Sequence, residues 1–286
     1  MELTRTAAGG DPNPAGRAEL PEHELSVVDA LLVLGEASDA GAQWLLSQLR
    51  AAGERCVLAT PELLAFAARR TQRLDSDGVT ADVALVPSDG PGTPRLVVNR
   101  LVRAPGDAWR HAAPDERDYA MAELAAFSLS WLHGLPCPVR NRPSPTSLPG
   151  PSPDALLAAV AAAHAGFDVP AVRWVPDASP YPLLEAAIRA AGGGARVGQL
   201  TVLDGAVVGI RRLESALGRP VPRRILAAVA GFVVRIDAEE SLIGIDVVVG
   251  ADQRWWFAGS TPLPDLELGG EDLVSAVLDL TRGERP

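Results

Sequence analysis

Residues 26–59, SVVDALLVLGEASDAGAQWLLSQLRAAGERCVLA, decide the fold class of this chain. Ser26–Leu34 is a short apolar run of the kind that forms a buried strand, and Arg55–Ala59 is a second one. Asp39–Ala52 lies between them and places its large apolar side chains on one face of a predicted helix, namely Trp44, Leu45, Leu46 and Leu49. The stretch therefore predicts a β-α-β unit.

The segments that follow continue this alternation of strands and helices. Pro61–Arg70 predicts a second helix, Asp82–Pro87 a further strand, and Arg95–Val102 a strand that ends in polar and basic residues. Alternating elements predict an α/β fold with a mostly parallel sheet covered on both faces. A dinucleotide site is disfavoured, because G-x-G-x-x-G should follow the first strand and Gly35–Gly41 reads GEASDAG instead.

A proline-rich stretch divides the chain. Glu116–His133 predicts a long amphipathic helix that Gly134 ends, and Leu135–Pro153 then carries too many prolines for a helix or a central strand. We place the domain boundary near Gly150. The predicted organisation is a flexible arm over residues 1–24, an α/β domain over 25–150 and a second domain over 151–286.

Composition excludes several classes of function. A net charge of −10 disfavours nucleic acid as a partner, and no apolar run is long enough to span a membrane. The four histidines have no zinc-ligand spacing, and Cys56 and Cys137 are expected to be reduced, structural thiols, with Cys137 as a nucleophile the weaker alternative. No signal peptide is recognisable at the N-terminus, so a cytoplasmic location is expected.

The chain contains no lysine, since arginine accounts for all 26 of its basic residues. Schiff-base enzymes, pyridoxal-phosphate enzymes and Walker-type phosphate loops all need a lysine amine, so these mechanisms are excluded. An excess of Ala, Arg, Gly and Pro is also typical of a GC-rich genome, and that bias is an alternative cause of the missing lysine.

Five short motifs resemble those of ATP-grasp ligases, in the same order along the chain: Val98–Leu101, Pro138–Pro143, Gly166–Pro170, Gly244–Val249 and Pro262–Pro264. The resemblance is to the ribosomal-protein glutamate ligases and the peptide-macrocyclising ligases. It implies a Rossmann-like pre-ATP-grasp domain, followed by a shortened ATP-grasp-like α+β domain. It also implies ATP and Mg²⁺ as the cofactors of an active member.

The chain departs from that family at the residues that carry its chemistry. Asp246 matches a metal-binding Asp of the family, but Gly259–Thr261 stands where the next strand has a Glu-x-Asn pair of metal ligands. Gln199 replaces an arginine. Between Trp174 and Val197 the sequence predicts only one helix and the glycine run Gly192–Gly194, where the family has a lid with two phosphate-binding lysines.

The polar residues beside the predicted boundary are the candidates for ligand binding: Asn99, Arg100, Arg140, Asn141 and Arg142. The three arginines lie at predicted strand ends, where open α/β sheets hold ligands, and arginine binds carboxylate or phosphate in a bidentate manner. The alternative is that they form structural ion pairs with Glu116, Asp118 or Glu123.

An aromatic run follows in the last third of the chain, at Trp255–Phe257. Strand alternation sends Trp256 to the face opposite Trp255 and Phe257, and an exposed ring there would favour an interface.

The leading hypothesis is a non-catalytic ATP-grasp-like protein without a cofactor, accessory to a biosynthetic or peptide-modification pathway. Its partner is a peptide, a small-molecule carboxylate or a partner enzyme. The alternative is a minimal ATP- and Mg²⁺-dependent carboxylate–amine ligase that uses Asp246 and arginines, with the lid supplied by a partner. A third hypothesis is a structural subunit of a homodimer or heterodimer.

Overall fold

The computed structural model describes residues 29–66, 68–76, 78–85, 92–171 and 181–283. The predicted arm of residues 1–24, and residues 26–28 and 86–87 of two predicted strands, lie outside these ranges. In chain order the elements are β1 (Leu31–Leu34), α1 (Ala40–Ala51), β2 (Cys56–Ala59), α2 (Pro61–Phe66), β3 (Arg69–Asp75), β4 (Gly78–Ala84), β5 (Leu96–Asn99), α3 (Pro114–Gly134), β6 (Val139–Arg140), α4 (Ala155–Ala165), α5 (Pro182–Ala191), β7 (Arg196–Leu203), β8 (Ala206–Val208), α6 (Ile210–Leu217), α7 (Arg223–Arg235), β9 (Leu242–Val249), β10 (Trp255–Thr261) and α8 (Leu266–Thr281).

The N-terminal half is built on a parallel sheet, which confirms the α/β prediction. Its strand order is β2-β1-β5-β6, and each neighbouring pair is parallel. One face packs against α2, α3 and the β3–β4 hairpin, with Trp131 of α3 fully buried there. The other face packs against α1 and α8. Helices on both faces explain why β1 and β5 are buried along their whole length.

One segment of this half differs from the prediction. Helix α2 ends at Phe66, whereas the sequence predicted a helix over Pro61–Arg70. The chain then forms the antiparallel hairpin β3–β4, and the predicted strand Asp82–Pro87 covers only its end. The sequence of β3 lacks the apolar alternation that predicts a strand, because Arg70 and Gln72 on its packed face are polar. Both side chains donate hydrogen bonds to hydroxyl groups of helix α3.

The C-terminal half is built on an antiparallel sheet with the strand order β10-β9-β7-β8. Alternate residues of β9 and β10 pack with α4, α6 and α7 into one large core. The opposite face carries Asp246 and is partly covered by α5. The sheet therefore has an apolar side that holds the fold together and a more polar side that faces a cavity.

Helix α8 connects the two halves. It packs against α1 and contacts β7 and β8, so Leu273 and Val277 share a core with Leu31 of the parallel sheet and Leu203 of the antiparallel sheet. The apolar core therefore continues across the predicted boundary near Gly150. None of the helices in the described ranges is long and apolar enough to cross a membrane.

Candidate functional site

Two buried asparagines hold the junction between the sheets. Asn99 ends β5, and its side-chain amide donates to the backbone carbonyls of Asn141 and Leu148 at 2.8 Å each. Asn141 has a φ of 62°; its side chain donates to the Pro262 carbonyl at 2.8 Å and accepts from the backbone N–H of Leu242 at 2.7 Å. Both predicted ligand-binding asparagines thus use these polar groups inside the chain.

Arg100 also forms its ion pair and hydrogen bonds with groups of the protein itself. Its guanidinium forms a bidentate pair with the Asp39 carboxylate, with N–O distances of 2.7 and 3.1 Å, and donates to the Pro264 carbonyl at 3.1 Å. The residue is only 5% exposed. Burial raises the pKa of the Asp39 carboxyl, but the Arg100 bonds and charge, with the N–H groups of helix α1, outweigh it and hold that pKa below 3.8.

Arg140 lies between an ion pair and a cavity. Its Nη2 donates to Asp204 Oδ2 at 2.5 Å, whereas its buried Nε has no hydrogen-bond partner. The cavity beside it has a volume of about 460 Å³. The cavity lies between the proline-rich crossing and the end of α8, and its lining includes Cys137, Arg140, Arg142, Glu240 and Leu280. Arg140 and Arg142 both line this cavity, and two arginines are suited to a carboxylate ligand, although the unpartnered Nε of Arg140 is itself buried.

Arg142 and Cys137 complete the polar side of this cavity. Arg142 donates to the His133 carbonyl at 3.3 Å and, among the described residues, has no carboxylate partner. Burial raises the pKa of the Cys137 thiol to about 11, so it is not a thiolate near neutral pH and does not suit a nucleophile. Two of the arginines do form ion pairs, but not with the predicted acids Glu116, Asp118 or Glu123. Arg100 pairs with Asp39, and Arg140 pairs with Asp204.

Asp246 lies on the polar face of the antiparallel sheet and is bonded to Gln199. The Gln199 side-chain amide donates to Asp246 Oδ1 at 2.8 Å, and its carbonyl accepts from the backbone N–H of Asp265 at 2.8 Å. Burial raises the pKa of the Asp246 carboxyl, and the Gln199 bond opposes that rise only in part. Gln199 therefore stabilises the carboxylate through one hydrogen bond and adds no positive charge.

A cavity of about 300 Å³ opens beside Asp246, between β9, β10 and the starts of α4 and α5. Asp246 is the only charged residue in its described lining, and the hydroxyls of Ser260 and Thr261 are its neighbouring polar groups. Tyr181 adds a phenolic hydroxyl to the lining. The remaining lining residues have no polar side chain: Pro153, Ala155, Ala158, Pro182, Leu183, Leu184, Ala258 and Gly259.

Comparisons with known proteins identify the architecture. No protein-family profile and no curated protein matches the sequence. Among solved structures, the macrocyclase MdnC of Microcystis aeruginosa MRC, bound with precursor peptide MdnA, superposes with a TM-score of 0.60 at 11% identity, over 89% of this chain and 100% of MdnC. The ATP-grasp ligase PsnB, complexed with precursor peptide PsnA2 and AMPPNP, superposes with a TM-score of 0.60 at 15% identity, over 90% of this chain and 99% of PsnB. The chain has the ATP-grasp ligase fold.

A third solved structure agrees with this assignment. The RiPP-associated ATP-grasp ligase of Chryseobacterium gregarium, in complex with ADP and a leader and core peptide, has a TM-score of 0.59 at 10% identity, over 91% of this chain and 98% of that one. At such identities the likeness establishes the fold alone. It confirms the resemblance that the five sequence motifs predicted.

Within this ATP-grasp fold, the described residues around Asp246 do not fit a nucleotide with Mg²⁺. Mg²⁺ prefers several hard oxygen ligands, but Asp246 is the only carboxylate in the described lining of the cavity, and the Gln199 amide is hydrogen-bonded to one of its oxygens. No cluster of three His, Cys, Asp or Glu suited to a metal occurs in the described ranges. No arginine lines the described cavity to neutralise phosphates.

Helix α5 lies in the segment where the sequence analysis expected the lid of the resembled family to be missing. Between α4 and β7, the described residues form a single helix, α5, and residues 172–180 lie outside the described ranges. Helix α5 packs against β9 and β10 and contributes Leu184 to the cavity wall. The sequence prediction of one helix in this segment agrees with α5.

The aromatic run of β10 is divided between the two faces of its sheet, as alternation predicted. Trp255 and Phe257 are buried in the large core, whereas Trp256 packs under α5 and is half-buried. Arg254 lies 5.9 Å from the Trp256 ring. Trp256, the ring that the sequence analysis considered for an interface, is therefore largely covered by α5.

Sequence reasoning missed two acids of the site, Asp39 and Asp204. Asp39 was recognised only as the start of a helix, which is correct, because its side chain caps α1 through the N–H of Ala42. Its second role, as the partner of Arg100, joins residues that are 61 positions apart. No short-range pattern records such a contact.

Proposed function

We propose that this chain is a non-catalytic ATP-grasp-like protein that binds a peptide, a small carboxylate or a partner enzyme in a biosynthetic or peptide-modification pathway. The observation that carries the proposal is the hydrogen bond from the Gln199 side-chain amide to Asp246. Gln199 is held in place because its side-chain carbonyl accepts a hydrogen bond from the backbone N–H of Asp265. A neutral amide lies where a ligase needs a cation. Phosphoryl transfer depends on positioned positive charge, and the neutral Gln199 amide supports the proposal because it supplies none.

The binding part of the proposal rests on the cavity beside Arg140 and Arg142. Arg140 and Arg142 both line it, and Arg142 has no carboxylate partner in the described ranges, whereas Arg100 is already paired with Asp39. MdnC, PsnB and the C. gregarium ligase were each solved with a precursor, leader or core peptide. We extend peptide binding to this chain as part of the proposal.

Calorimetric titration with ATP and Mg²⁺ tests the non-catalytic part. We expect no heat and no thermal shift up to millimolar nucleotide, in the wild type and in Asp246→Asn alike. Asp279→Asn, which changes a carboxylate far along α8, is the matched control. Mg²⁺-dependent binding that disappears only in Asp246→Asn would overturn the proposal and establish the minimal ligase.

Titration with N-acetylglutamate, followed by NMR, tests the binding part. We expect saturable shifts in the wild type and at least tenfold weaker binding in Arg142→Gln, because that variant removes one of two donors to the carboxylate. Arg189→Gln removes a mostly exposed arginine on α5, away from this cavity, and should bind like the wild type. Equal binding by Arg142→Gln and the wild type would exclude this cavity as the carboxylate site.

A further inference from the structure

The Asp246 cavity carries a negative charge that the described chain does not balance. Asp246 accepts one hydrogen bond, from the neutral amide of Gln199, and no arginine of the described ranges forms an ion pair with it. A carboxylate that is taken out of water without a cation is unfavourable. A cation supplied by a ligand would remove this imbalance.

The second carboxylate oxygen of Asp246 faces a part of β10 that has no side chain. Gly259 has a φ of 150° and lies just after a register shift in β10, and a Cβ built on it would lie 3.6 Å from Asp246 Oδ2. Any larger residue would begin to cover that oxygen. Glycine therefore leaves Oδ2 accessible from the cavity.

The walls of the cavity define the rest of the ligand. Apolar groups of Pro182, Leu183 and Ala158 suit an aliphatic stem, while Ser260 and Thr261 add hydroxyl groups to the lining. The volume of about 300 Å³ is on the scale of one long amino-acid side chain and too small for a folded segment. Anionic ligands are disfavoured, because the only charge in the described lining is negative.

We propose that this cavity takes the side chain of a lysine or arginine from a bound peptide, with its cationic head against Asp246. The inference rests on the proposed function, since it names the chemistry of the peptide. It assigns the cavity to a ligand of the opposite charge from a nucleotide. The basic head and Asp246 form a charge-assisted hydrogen bond, and the Gln199 amide holds the carboxylate in place.

The test uses two blocked amino acids that differ in charge and have nearly the same shape. N-acetyl-arginine N-methylamide is the cationic probe, and N-acetyl-citrulline N-methylamide is its neutral counterpart. We expect NMR titration of the full chain to show saturable binding of the arginine probe, with the citrulline probe at least tenfold weaker. Equal binding of the two probes, or no binding of the arginine probe up to millimolar concentration, would overturn the assignment.

Asp246→Asn should lower affinity for the arginine probe at least tenfold, and Asp279→Asn should leave it unchanged. Asp246→Asn keeps the shape of the side chain and removes a half-buried charge that has no cationic partner in the described ranges, so its melting temperature should match or exceed that of the wild type. Unchanged affinity in a folded Asp246→Asn protein would exclude the site. Failure of the arginine probe without ATP binding refutes this inference alone, whereas Mg²⁺–ATP binding refutes the proposed function.

Discussion

At the scale of single residues, the side chains that resemble a ligand site mainly hold two sheets together. Asn99, Arg100 and Asn141 donate to backbone carbonyls that belong to distant parts of the chain. Buried polar groups of this kind are costly when a partner is lost. Arg140 and Arg142 differ from them, because both line a cavity.

Replacing Asn141 should separate the effect of its bonds from that of its backbone conformation. Asn141→Ala loses two buried hydrogen bonds and retains a positive φ, so we expect a loss of about 3 kcal/mol in unfolding free energy. Asn141→Gly loses the same bonds but tolerates the φ, so its loss should be smaller by about 1 kcal/mol. Urea unfolding measures both. Equal losses would mean that the backbone conformation contributes nothing.

Replacing Arg100 should produce a deficit that depends on pH. At pH 7, Arg100→Met leaves the Asp39 carboxylate partly buried without its cation, and we expect a loss of about 3 kcal/mol. The folded-state pKa of Asp39 is lowered, so its stabilisation is present above the unfolded pKa near 3.8 and is lost as the pH falls through the folded value.

The deficit of Arg100→Met should therefore shrink when urea unfolding is repeated below the ordinary pKa of Asp39. Arg282→Met, at a mostly exposed arginine, is the control and should change the unfolding free energy little at either pH. A deficit that is the same at both pH values would show that Arg100 acts through packing and not through the charge of Asp39.

At the scale of elements, the chain relies on close backbone approaches that its helix and strand patterns do not reveal. Gly209 joins β8 to α6 and touches the irregular first turn of α8, where Gly270 has a non-helical conformation. The β3–β4 hairpin is another such case, since polar contacts with α3 place it. Both features depend on contacts with a neighbouring element.

Gly209→Ala should destabilise the protein by about 3 kcal/mol, because φ is 73° and a Cβ would lie 2.4 Å from the Leu268 carbonyl oxygen. Gly53→Ala is the matched control: φ is 85°, but no other atom lies within 4 Å of the new Cβ. For Gly53→Ala we expect a loss of about 1 kcal/mol in unfolding free energy, which comes from the backbone conformation alone. Similar losses in thermal or urea unfolding would contradict a steric role for Gly209.

At the scale of the whole molecule, helix α8 packs against both halves, and we expect them to unfold as one cooperative unit. Its apolar face shares a core with strands of both sheets, so neither half retains a complete core without it. The predicted boundary near Gly150 therefore separates two stretches of sequence that share one apolar core. We expect the two parts not to unfold independently.

Leu273→Ala should lower the unfolding free energy by about 3 kcal/mol and keep a single transition, since Leu273 is fully buried in the shared core. Leu268→Ala, on the same helix but 37% exposed, should cost less than about 1 kcal/mol. Far-UV circular dichroism and tryptophan fluorescence should give the same midpoint in urea. Two separate midpoints would mean that the halves unfold independently.

The sequence by itself determined the class of fold and the order of its main elements. Apolar runs and helical periodicity are local properties, so β1, α1, β2 and α3 could be predicted, and five ordered motifs predicted the ATP-grasp resemblance. The missing lysines and the replaced metal ligands are also visible without coordinates.

Only the tertiary structure decided what the polar residues contact. Arg100 meets Asp39, Arg140 meets Asp204, and Gln199 meets Asp246, at separations of 61, 64 and 47 residues. Such contacts depend on how sheets and helices pack, and helical or strand periodicity contains no information on them. The same holds for the Asp246 cavity, whose single charge becomes evident only when four separate segments are brought together.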